Sequence, residues 1–173
     1  MKTVGVMGSG SKEHSRLAEP LGALIASLGV NLLTGGGRGT MTATSRAFTE
    51  YEGVRGICIG VIPCESLERR DRPKEGYPNP YIEAPIYTHL PYSGASGTGD
   101  LSRNHINILS SDAIVALPGG DGTASEVELA LRYGKPVIAF GSEEGEFDRF
   151  NRSVERTFEL SEVEVFLRSR LSL

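Results

Sequence analysis

Apolar positions along the chain follow two alternating rhythms. Short, nearly continuous apolar runs occur at 3–7 (TVGVM), 31–34 (NLLT), 54–62 (VRGICIGVI), 112–118 (DAIVALP) and 136–141 (PVIAFG). Runs of this length suit strands buried on both faces. Between the first two, Leu17, Leu21, Leu24, Ile25 and Leu28 are spaced for one face of a helix over 13–28. Pro20 falls inside that pattern and implies a kink or a late start. Residues 40–51, 100–110 and 123–133 read as further helices, the second of these capped by Asp100 or Ser102. VERT (154–157) predicts an edge strand, and 161–171 a closing helix. Strands alternating with helices call for a parallel sheet covered on both sides, so the pattern predicts a single, doubly wound α/β domain over 1–173. In such sheets ligands bind at the carboxyl ends of the strands.

Residues 64–99 interrupt the rhythm. Six of the nine prolines lie at 63–91, together with Tyr77, Tyr81, Tyr87 and Tyr92. A loop this long inside a compact domain is unusual and tends to be functional. We therefore expect an insertion at about 64–99, with IEAPIYT as a short extended piece. The cluster ERRDRPKE reads as a solvated tip.

Composition narrows the function classes. The chain has 173 residues, 39% hydrophobic and 23% charged, which suits one globular domain. A net charge of −4 and a pI near 5.5 argue against nucleic-acid and membrane-surface partners. No signal segment and no apolar run of about 20 residues is visible, so a cytoplasmic protein is expected. Cys58 and Cys64 are too few for a disulfide framework and match no zinc spacing, so no metal site is expected.

Glycine is the informative residue, at 22 where average usage gives about 12. It concentrates in three turns that follow predicted strands: Gly8-Ser9-Gly10, Gly35-Gly36-Gly37-Arg38-Gly39-Thr40 and Pro118-Gly119-Gly120-Asp121-Gly122-Thr123. Each opens a helix and so offers unpaired N–H groups and a positive dipole end, the ingredients of an anion site. The first turn, GSGSKE, is neither G-x-G-x-x-G nor a P-loop, which disfavours NAD and triphosphates.

Topology brings Arg103 and Glu126 near the same edge. An arginine there can grip phosphate or carboxylate. A carboxylate beside it can orient a hydroxyl, activate water or stabilise a cationic centre. Two readings stay open for Glu126. Thr123-Ala124-Ser125-Glu126 spells a capping box, in which the acid only closes the helix end, while a chemical role needs it turned inward. Arg103 can likewise be a surface salt-bridge partner. Asp121 is expected to point outward, away from a phosphate, and His105 to pack rather than act as a base.

The combination of GGGRGTM, Arg103 and PGGDGTASE resembles the P-G-G-x-G-T-x-x-E pattern of the LOG-type, "lysine decarboxylase-like" Rossmann family over about residues 3–141. The resemblance implies a Rossmann-like sheet. Nothing supports a pyridoxal phosphate lysine, so amino-acid decarboxylation is rejected. One branch of the family consists of phosphoribohydrolases that cut the N-glycosidic bond of nucleoside 5′-monophosphates, and there Arg103 and Glu126 would be catalytic. The other branch consists of molybdenum cofactor carrier proteins, which hold a phosphorylated metal-pterin without turning it over. GVMGSG and SRNHINILSSDAIVALPGGDGTASEVELALRYGKPV look closer to the carrier branch, and S-R-N stands where the hydrolases have E-R-K. The resemblance thus implies a homodimer or homotetramer binding a phosphorylated small molecule, foremost the molybdenum cofactor, with molybdenum-cofactor-using enzymes as partners. The implied contacts are Gly8, Ser9, Gly10, Gly36, Gly37, Arg38, Gly39, Thr40, Arg103, Gly119, Gly120, Gly122, Thr123 and Glu126. A third expectation is a nucleotide sensor whose 64–99 loop changes order on binding.

Overall fold

The structure is a computed structural model describing residues 1–173. At the centre of its sheet lies strand β1 (Thr3–Met7), buried along its whole length. The chain then winds outward through helix α1 (Ser15–Ser27), β2 (Asn31–Thr34), helix α2 (Thr40–Thr49), β3 (Cys58–Ile62) and β4 (Ala84–Tyr87). It returns through helix α3 (Asn104–Leu109) to β5 (Ala113–Ala116) on the other side of β1. From there it winds the opposite way through helix α4 (Asp121–Arg132), β6 (Val137–Phe140), β7 (Glu155–Thr157) and helix α5 (Leu160–Leu171). The strand order is β4-β3-β2-β1-β5-β6-β7, and every pairing is parallel. This is the predicted doubly wound, Rossmann-like fold in one domain.

Alternate strand residues feed two cores, as the pleat requires. Val4, Leu32 and Val115 pack with Leu21 and Ile25 of α1, Phe48 of α2 and Leu167 of α5. Leu33, Ile114 and Ala139 face the other way, onto Ile108 of α3, Val127 and Leu129 of α4, and Phe147. Pro20 is exposed in α1 and does not end the helix. It has no N–H to donate to the Arg16 carbonyl one turn earlier.

Three boundaries differ from the sequence expectation. Strand β3 begins at Cys58 rather than 54, because Val54 is 93% exposed and Arg55 turns aside to chelate Glu83. Helix α3 begins at Asn104, with Arg103 itself at the N-cap; Ser102 accepts the Asn104 N–H one residue earlier than a cap would. The IEAPIYT piece is a full member of the sheet, pairing with β3 from Ile59↔Ala84 to Ile62↔Tyr87. Pro85 is tolerated because β4 is an edge strand with one unpaired side. Segment 64–99 therefore contributes a strand to the scaffold, while its tip at 68–75 is solvent-exposed as expected.

Helices α1 and α2 cross at Gly22, where an added Cβ would collide with the Thr44 carbonyl and approach the Phe48 nitrogen to 3.2 Å. Gly22→Ala should therefore overpack this crossing. The expected loss in urea unfolding is about 1–3 kcal/mol; unchanged stability would show that the two helices can separate freely.

Candidate functional site

Strand order reverses between β1 and β5, and the crevice beyond their carboxyl ends is where an open α/β sheet offers a binding site. A cleft of about 360 Å³ opens there. The glycine turns after β1, β2 and β5 meet beneath it. Ser9 donates its N–H to the Pro118 carbonyl at 3.3 Å, and its own carbonyl accepts the Thr40 N–H at 2.9 Å. The three turns thus share one rim and are stitched together by main-chain bonds.

The turns play different parts. Gly8, Ser9 and Gly10 line the cleft directly, and Ser11 extends the same wall. Ser9 Oγ accepts the N–H groups of Ser11 and Lys12 at 3.2 and 3.0 Å, which holds the turn in shape. Gly120, Gly122 and Thr123 line the opposite side at the start of α4. That helix has Gly120 at its N-cap and no side-chain cap. The first bond of the helix runs from Ala124 N–H to the Gly120 carbonyl at 3.0 Å. The N–H groups of Asp121, Gly122 and Thr123 precede it and have no intrahelical acceptor. Asp121 turns outward to an ion pair with Arg149, so its charge does not oppose an anion in the cleft. Gly119 does not line the cleft. Its missing side chain gives room to Thr123, whose Cβ would lie 2.7 Å from an added Cβ.

The second turn is a bed for other side chains. Gly35 alone of this turn reaches the cleft. A Cβ on Gly35 would lie 2.5 Å from Nη1 and 2.7 Å from Cζ of Arg103, so the guanidinium rests against bare backbone. Gly36 has φ 73° and lies under Ile62; Gly37 lies under Tyr77. Gly39 has φ 64° and abuts the Gly10 and Lys12 main chain, where Thr40 Oγ1 donates to the Lys12 carbonyl at 3.0 Å. Arg38 is exposed and lies over Gly76.

Arg103 is 4% exposed, yet its Nε and Nη1 have no hydrogen-bond partner. Glu126 Oε1 stands 3.7 Å from Nη1, close enough for attraction and too far for a hydrogen bond. Glu126 is itself buried and accepts the Asn107 Nδ2–H at 3.1 Å. Burial pushes the Glu126 carboxyl above the ordinary carboxylate range, against the opposing pull of Arg103 and Asn107. Of the two readings open for Glu126, the capping box on Thr123-Ala124-Ser125-Glu126 is not formed. Helix α4 starts three residues earlier than that box requires, with Gly120 at the N-cap, so Thr123 is already helical and Glu126 faces Arg103 and Asn107.

Topology had brought Arg103 and Glu126 together in the sequence reading, and the structure places both on the cleft wall. His105 lies elsewhere, joining the Tyr133 hydroxyl at 2.7 Å and the Gly99 carbonyl at 3.1 Å. Asn107 was missed, although its position four residues after Arg103 puts the two on one helix face. Tyr77, Met41, Ser93, Gly94 and Asn104 also line the cleft and were missed.

Comparison with known proteins agrees with this architecture. The model of the SLOG cluster4 family matches residues 1–167. The chain belongs to that family. An uncharacterized protein of Archaeoglobus fulgidus is 32% identical over 138 residues, which span 79% of this chain and 78% of the relative. Among solved structures, the molybdenum cofactor binding protein from the phototrophic bacterium Rippkaea orientalis matches with a TM-score of 0.74 at 29% identity, covering 98% of this chain and 97% of the other. The molybdenum cofactor carrier protein of Chlamydomonas reinhardtii matches with a TM-score of 0.72 at 30% identity, covering 99% of both chains. No helix is long and apolar enough to cross a membrane.

The raised Glu126 carboxyl has a consequence for stability. Between the ordinary carboxylate pKa of 4.5 and the raised value, the folded chain keeps a proton that the unfolded chain has released. The residue's contribution is therefore most favourable below the ordinary value and declines as pH rises towards the raised one. Glu126→Gln lacks this titration. In urea unfolding, the stability of Glu126→Gln relative to the parent should climb as pH rises from about 4 to 7; a pH-independent difference would contradict the assignment.

Proposed function

We propose that the protein binds a phosphorylated small molecule in this cleft and holds it without turnover, and that the molecule is the molybdenum cofactor. The observation that carries the reading is the buried Arg103 guanidinium on the wall of a cleft edged by glycine turns, with its Nε and Nη1 left without a hydrogen-bond partner in the chain. Leaving a buried cation under-satisfied is expensive, and an anion arriving from solvent removes the penalty. The cleft volume lies within the range of small-molecule sites, about 300–1,000 Å³. The N–H groups of Gly120, Gly122 and Thr123 would take the phosphate, with Gly8, Ser9 and Gly10 on the facing wall. Arg103 would hold an anionic oxygen of the same ligand, and Glu126 and Asn107 would keep the guanidinium in place. Gly119, Gly36, Gly37, Gly39, Thr40 and Arg38 would act from behind, by shaping the turns. The two solved relatives described as binding or carrying the molybdenum cofactor support the choice of ligand. In this reading the protein is a cytoplasmic homodimer or homotetramer that delivers its cargo to enzymes that use it.

A second reading rests on Glu126. A buried carboxyl with a raised pKa, 3.7 Å from an arginine on the cleft wall, is equipped to give a proton to a leaving base. The alternative is hydrolysis of nucleoside 5′-monophosphates to free base and ribose 5-phosphate.

Protein purified without oxygen from a molybdenum-replete host and then denatured should release molybdenum and a phosphorylated pterin. Arg103→Ala should bind the ligand about thirtyfold more weakly or worse, since truncating one member of a buried charge pair costs about 2–5 kcal/mol. Release of neither molybdenum nor pterin would sink the carrier reading. Liberation of base from a nucleoside monophosphate by the parent, abolished in Glu126→Gln, would establish the hydrolase instead.

A further inference from the structure

The carrier and hydrolase readings leave one wall of the cleft without a role. Tyr77 is the single aromatic side chain on that wall, and it stands with Met41 beside Gly35 and Arg103. Its position is built rather than incidental. A Cβ on Gly37 would lie 2.6 Å from Cε1, Cζ and Oη of Tyr77 alike, so the phenol end of the ring beds on bare backbone. The segment that carries it is fastened to the same turn. Asn79, 5% exposed, donates its N–H to the Gly36 carbonyl at 2.8 Å and its Nδ2–H to the Gly37 carbonyl at 2.9 Å. Met41 Sδ in turn accepts the Gly37 N–H at 3.4 Å. Neighbouring glycines of one turn thus seat two flat groups, Arg103 on Gly35 and Tyr77 on Gly37, and both border the cleft.

We infer that Tyr77 is the platform against which a planar ring of the ligand packs, so that the cleft prefers a phosphate ester bearing an aromatic ring over an aliphatic one. This rests on the proposed reading that an anion is held by Arg103 and the start of α4. A flat aromatic face beside a polarizable thioether is suited to any fused π-system. It has nothing to offer an aliphatic phosphate.

The test uses three probes on the full chain: 6-hydroxymethylpterin monophosphate, guanosine 5′-monophosphate and glycerol 3-phosphate. Binding is followed by calorimetry and, for the pterin, by quenching of its intrinsic fluorescence. At least one ring-bearing probe should bind about tenfold or more tighter than glycerol 3-phosphate. Tyr77→Ala should abolish that preference and the pterin quench, while changing glycerol 3-phosphate binding by less than about twofold. Tyr77→Phe should keep both, because the ring face is retained. Gly37→Ala, which displaces the ring without removing it, should resemble Tyr77→Ala. The inference is overturned if neither ring-bearing probe outbinds glycerol 3-phosphate, if the preference survives in Tyr77→Ala, or if all probes weaken together in that variant. A ring preference that depends on Tyr77, in a protein that carries no molybdenum when purified, would leave the inference standing and remove the cofactor reading alone. Comparison of the pterin and guanosine probes decides which ring the slot fits.

Discussion

The whole site depends on one buried positive charge. Arg103 is withdrawn from water, lies on the bare backbone of Gly35, and forms a loose ion pair with Glu126 at 3.7 Å, without a hydrogen bond between them. A guanidinium offers five donors, and here two of its nitrogens bond to nothing in the chain. A close carboxylate bridge would have satisfied the charge and closed the cleft to anions. The Glu126 oxygen nearest Arg103 instead accepts its hydrogen bond from Asn107. The folded state therefore stores an unmet electrostatic demand at the mouth of the sheet.

Topology decides where that demand is felt. The reversal of strand order between β1 and β5 leaves their following turns splayed, and the return through α3 delivers Arg103 to the same rim. The uncapped start of α4 and the first glycine turn then face one another across the opening. Held together by the bonds from Ser9 to Pro118 and from Thr40 to Ser9, they form one concave surface.

Much of this was legible in the sequence, for physical reasons that can be named. Fully buried parallel strands write themselves as apolar runs, so β1, β2, β5 and β6 were clear, and the crossover rule then put Arg103 near Glu126. Strand β4 was harder to read, because an edge strand with a proline and exposed Ile86 and Tyr87 shows no burial pattern. The start of α4 was misplaced because T-x-x-E spacing has the same form whether it closes a helix end or lies one turn inside it. The second glycine turn was read as an anion cradle. Its glycines instead make room for Arg103, Ile62 and Tyr77, and sequence spacing does not reveal which distant side chain a gap will admit. Tyr77 was beyond reach for the same reason: its place depends on a long segment docking through Asn79.

That docking by Asn79 separates two properties of the cleft. The grip on charge is written in the short turns and in α3 and α4, where nearly every atom is constrained by its neighbours. The Tyr77 wall of the cleft is written in a surface segment clasped at two carbonyls. A change in that one peripheral stretch can therefore redraw a wall of the cleft while the short turns, α3 and α4 keep their arrangement.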